Sequence, residues 1–114
     1  MTDTSTPLKF DGRAVINGER VAARDGQTFD CISPVDGRVL TQVARGAEAD
    51  IDAAVQAARA AFEDRRWAGK PPAARKRILI KFAELVQAHG DELALTETLD
   101  MGKPLKYARA VDVN

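Results

Sequence analysis

The sequence predicts an α/β chain, with a layer of β-hairpins first and three to four helices after it. Three observations carry this reading. Asn17-Gly18 stands between two short β-prone runs. Ser33-Pro34-Val35-Asp36-Gly37 separates two more. From Glu48 onward the apolar residues recur at helical spacing.

Residues 1–13 read as a flexible arm, since small and polar residues dominate its first part. The body of the chain is then residues 14–114. Ala14-Val15-Ile16 and Glu19-Arg20-Val21 flank Asn17-Gly18, a turn in which both residues must accept positive φ. Arg24-Asp25-Gly26-Gln27 reads as a second turn. Thr28 to Ile32 alternates and is rich in β-formers, giving a third strand. Pro34 and Gly37 supply turn chemistry, and Arg38 to Val43 forms a fourth strand that Arg45-Gly46 ends.

Ile51, Val55, Ala58 and Phe62 then mark one face of a helix over Glu48–Phe62. Glu48, Asp50 and Asp52 crowd its first turn, and Arg65 and Arg66 lie just past its end, so both ends suit the helix dipole. Pro71-Pro72 opens a second helix striped by Ile78, Phe82, Leu85 and Val86. Gly90 is its expected C′ residue, and Asp91 the expected N-cap of a third helix. Leu95 and Leu99 lie one turn apart in that helix, which Gly102 and Pro104 end. Pro104 opens a fourth helical segment that runs to Asn114. The helices leave apolar faces with no long sheet to cover them. With only ten residues after Pro104, the chain is expected to be the opening part of a larger protein.

Composition excludes several function classes. The chain has 114 residues, 17 basic against 17 acidic, so no global field steers it to nucleic acid or an acidic membrane. Arg75-Lys76-Arg77 is a three-residue basic run on a helix, read as a solvated face. No run of about 18 apolar residues exists, so no membrane span is expected. A single cysteine fits a reducing compartment, and a cytoplasmic location is expected.

Several motifs, in order, resemble those of the aldehyde dehydrogenase family. They are Ile16-Asn17-Gly18-Glu19, Ser33-Pro34-Val35-Asp36-Gly37, Asp50-Ile51-Asp52-Ala53-Ala54-Val55 with Ala57-Ala58-Arg59-Ala60-Ala61-Phe62, Trp67, and Glu97-Thr98-Leu99-Asp100-Met101-Gly102-Lys103-Pro104. The neighbourhoods Ala44-Arg45-Gly46 and Ala88-His89-Gly90 are most similar to the branch acting on γ-glutamyl-γ-aminobutyraldehyde. The resemblance covers residue 14 to the end and implies the N-terminal part of a Rossmann-like cofactor domain. It implies an oxidoreductase that passes hydride from an aldehyde to NAD or NADP, using a cysteine nucleophile and a glutamate that lie beyond this chain. It also implies homo-oligomers. The segment by itself is expected to be inactive, with no catalytic and no cofactor-binding residue. The rival reading is a short non-catalytic module that binds a related subunit.

Each candidate chemical residue has a plain structural reading. Cys31 lies in a predicted strand with no helix N-terminus or histidine to activate it, and reads as structural. His89 falls in the last turn of a helix, as an exposed or dipole-compensating residue. One histidine and one cysteine cannot make a zinc site, and no glycine-rich phosphate loop is present. Lys103 reads as an exposed loop lysine, and Trp67 as core. Asp100 is the one candidate ligand. The resemblance implies a monovalent cation between its carboxylate and a backbone carbonyl near Ile32. A carboxylate at a helix C-terminus opposes the dipole, so a compensating cation or donor is expected beside it.

Overall fold

A computed structural model describes residues 8–113. Two antiparallel hairpins come first: β1 (Ala14–Ile16) with β2 (Glu19–Val21), and β3 (Thr28–Ile32) with β4 (Val39–Ala44). Asn17 and Gly18 take φ of 54° and 77°, the left-handed pair that lets strands of native twist meet across two residues. The β3–β4 ladder slips between Cys31 and Ile32.

The first seven residues of the expected arm lie outside the described part. Phe10 and Gly12 run beside β4. The Phe10 carbonyl accepts the Thr41 hydroxyl at 2.9 Å, and the Gly12 carbonyl accepts the Ala44 N–H at 2.8 Å. The approach is so close that a Cβ on Gly12 would fall 1.8 Å from the Gln42 carbonyl oxygen.

Helix α1 (Glu48–Glu63) packs against β1. Helix α2 (Pro72–Ala88) follows, with Pro72 as its first helical residue. Helix α3 (Gly90–Met101) touches α2 and ends at Gly102, whose N–H still donates to the Thr98 carbonyl at 2.8 Å while its φ of 83° turns the following chain off the helix. A short turn α4 (Leu105–Tyr107) continues into a π-helical turn, Ala108–Asp112, that packs back on α3.

Two helix-end expectations are corrected. Gly90 is not a left-handed cap, and Asp91 is not an N-cap. His89 serves both helices: its N–H donates to the Leu85 carbonyl, and its own carbonyl accepts the Leu93 N–H, each at 3.0 Å. With the junction reduced to one residue, Gly90 is absorbed into α3. Asp91 then sits in the first turn and pairs with Arg109 at 3.1 Å.

Burial is concentrated on α3. Ala94, Leu95, Leu99 and Ala108 are buried because the segment after Pro104 folds back over that helix. By contrast α2 buries none of its residues. Phe62 on α1 is 68% exposed and Phe82 on α2 65% exposed. The radius of gyration is 17.4 Å, against about 13 Å for a compact domain of this length. The chain exposes 8677 Å², where a monomer of its mass exposes about 6,100 Å². The apolar faces of α1 and α2 are formed but left uncovered by the described residues.

Candidate functional site

The last turn of α3 brings Asp100 against the outer edge of the β3–β4 hairpin. There the Cys31 thiol donates to the Asp100 carboxylate at 3.5 Å, across 69 positions of sequence. The expected donor beside the helix-end carboxylate is therefore a thiol. Burial pushes the Cys31 thiol above its ordinary value, and the adjacent carboxylate adds to the shift. A cysteine with a raised pKa is a poor nucleophile near neutral pH.

Around this pair lies a cavity of about 320 Å³, bordered by Asp11, Arg13, Thr41 and Glu97 as well as Cys31 and Asp100. The Asp11 carboxylate pairs with Arg13 at 2.6 Å and Arg20 at 3.2 Å. These guanidinium groups hold it well below the usual carboxylate range. Among the described residues neither Glu97 nor Asp100 is in an ion pair. The cavity wall thus carries one ion-paired carboxylate, Asp11, and two, Glu97 and Asp100, that have no cationic partner among the described residues. Ile32 does not border this cavity, although the ladder slip beside it is where a carbonyl can leave regular pairing. Among the described residues no three His, Cys, Asp or Glu side chains cluster as metal ligands.

The other candidates fall elsewhere. The His89 ring is exposed, with Nδ1 3.5 Å from a Glu92 carboxylate oxygen. Lys103 is not a free loop lysine. Its Nζ reaches both Asp112 oxygens, at 2.9 and 2.7 Å, because the π-helical turn brings Asp112 back over the loop. Trp67 is not in a core: it is 41% exposed and borders a groove on α2 that none of the described residues covers. Arg75 departs from a solvated face, with its Nε buried. No helix of the described residues is long and apolar enough to cross a membrane.

Asp50, expected as a dipole partner in the first turn of α1, is buried and joins two elements. Its two oxygens accept the backbone N–H groups of Arg24 and Ala47, each at 2.9 Å. These bonds hold its carboxyl below the ordinary aspartate range. Position N3 of a helix is where a capping-box acid stands, but Ala47 at the N-cap hides the pattern.

Comparison with known proteins places these observations. The model of the aldehyde dehydrogenase family matches residues 21–114. The NADP/NAD-dependent aldehyde dehydrogenase PuuC of Escherichia coli (strain K12) is 44% identical over 97% of this chain and 22% of its own length. Phenylacetaldehyde dehydrogenase of Pseudomonas fluorescens is 41% identical over 93% of this chain and 21% of its own. Among solved structures, γ-glutamyl-γ-aminobutyraldehyde dehydrogenase from Burkholderia cenocepacia J2315 superposes with a TM-score of 0.91 at 54% identity, over 93% of this chain and 22% of that one. Indole-3-acetaldehyde dehydrogenase of P. syringae, in complex with NAD+ and IAA, gives 0.90 at 53% identity, over 93% and 21%. The chain therefore spans about a fifth of the length of the relatives it matches.

Proposed function

The chain belongs to the aldehyde dehydrogenase family, and we propose that residues 14–114 form the N-terminal portion of the cofactor domain of an enzyme oxidising an aldehyde to a carboxylic acid with NAD or NADP. The carrying observation is the combination of a TM-score of 0.90 to a solved dehydrogenase with apolar faces left open on α1 and α2. The segment has the shape it takes inside a much longer fold, and that longer fold supplies the cover. In this reading the segment contributes scaffold. The nucleophilic cysteine, the glutamate and the cofactor loop are supplied by the remainder. Cys31 is no substitute, because its thiol is held protonated against Asp100. The full protein is read as a cytoplasmic homo-oligomer.

The test replaces the matched segment of the E. coli relative with this chain. Retained NAD(P)-dependent aldehyde oxidation supports the reading. A soluble hybrid without activity speaks instead for a non-catalytic interaction module, for which the open helix faces are the supporting feature.

The same reading gives Asp100 and the Ile32 carbonyl to a monovalent cation. Oxygen ligands suit a hard cation, and Asp100 has no cationic partner among the described residues. In the hybrid, sodium or potassium should raise the melting temperature, and Asp100→Asn should abolish that rise. A rise that persists in the variant would remove Asp100 from the site.

A further inference from the structure

Arg75 lies near the start of α2, and its Nε is buried with no hydrogen-bond partner among the described residues. It borders an open groove of about 540 Å³ together with Trp67, Pro72, Lys76, Leu79 and Ile80. Among the described residues no carboxylate lines this groove. None of the ion pairs among the described residues involves Arg75 or Lys76.

Elsewhere along α2 the run Ile78-Leu79-Ile80 spreads apolar surface over a wide arc, and no residue of the helix is buried. A helix apolar over so wide an arc is one made to be covered. A guanidinium N–H taken out of water without an acceptor is unfavourable, and a planar carboxylate is the partner that satisfies it best. Two cations and no anion at the groove point the same way.

We infer that the polypeptide covering α2 presents a carboxylate to Arg75 between apolar side chains that fill the groove beside Trp67 and Leu79. This rests on the proposed function, in which that polypeptide is the remainder of the dehydrogenase fold. The carboxylate closes the open donor, and the apolar flanks exclude water from the pair.

The test again uses the hybrid with the E. coli relative. Arg75→Met should lower its melting temperature by several degrees, Arg75→Lys should recover part of the loss, and Lys81→Met on an exposed face should change nothing. In the 114-residue chain alone, Arg75→Met should leave the helix content measured by circular dichroism unchanged. A hybrid indifferent to Arg75→Met overturns this inference alone, as does an equal loss in the isolated chain. A hybrid that fails to assemble with Arg75 in place overturns the functional reading, and this inference with it.

Discussion

The Cys31 thiol donates to the Asp100 carboxylate at 3.5 Å and ties the edge of the second hairpin to the last turn of α3. Burial and this contact together raise the thiol pKa and lower its thiolate fraction near neutral pH. Alkylation by iodoacetamide should be slower than for a free thiol at pH 8. Asp100→Asn removes the negative charge and weakens the acceptor, so the thiol pKa falls toward its ordinary value. More thiolate is then present at that pH, and alkylation should accelerate severalfold. An unchanged rate would mean that burial alone holds the thiol protonated.

Asp50 joins the loop after β2 to the start of α1. Asp50→Ala removes both acceptors and should loosen that junction, whereas Asp50→Asn keeps one. The folded-state pKa is depressed, so the carboxylate stabilises the fold above the unfolded value of about 4. That contribution is lost as pH falls through the folded value. The difference in helix content under mild urea between the chain and Asp50→Asn should therefore be largest near neutrality and shrink in acid. A difference that grows toward acid would contradict the assignment.

Much of this architecture is legible in the residues, because hairpin turns and helical stripes are local chemistry. Asn17-Gly18 and the Ser33–Gly37 turn place the strands to within a residue, and Gly102 ends α3 as its position requires. What is not legible depends on how distant segments return. Leu95 and Leu99 look like an open face until the π-helical turn covers them. His89 can serve two helices only because its own φ and ψ, −104° and 18°, leave the helical region. At the candidate site, Asp100 is visible as a helix-end acid in need of a donor. Its partner could not be named, since the thiol is brought there by strand placement over 69 positions. The two-element role of Asp50 is hidden for the same reason.

The segment before β1 is held by backbone contact that leaves no room for a side chain. Gly12→Ala would set a methyl carbon 1.8 Å from the Gln42 oxygen, which must displace the segment at a cost of about 1–3 kcal/mol. Tryptic cleavage after Arg13, followed by mass spectrometry, should become markedly faster. An unchanged cleavage rate would show that the segment is held by other contacts.

Open and covered positions should respond in opposite ways. In the isolated chain Leu99, only 4% exposed, should cost about 2–5 kcal/mol when cut to alanine. Phe82→Ser should be within about 0.5 kcal/mol of neutral. The chain should bind a hydrophobic dye strongly, as a protein with uncovered apolar faces does. In the hybrid with the E. coli relative, Phe82→Ser should become a destabilising change and dye binding should disappear. Equal sensitivity in both settings would mean that α2 is already covered.

The most direct measurement is reduction of NAD(P)+ with an aldehyde substrate, made in parallel on the 114-residue chain and on the relative that carries it in place of its own matching segment. The chain alone should give no reduction, and the hybrid should give substrate-dependent reduction. Turnover by the chain alone, or a well-folded hybrid without any, would contradict the proposed function.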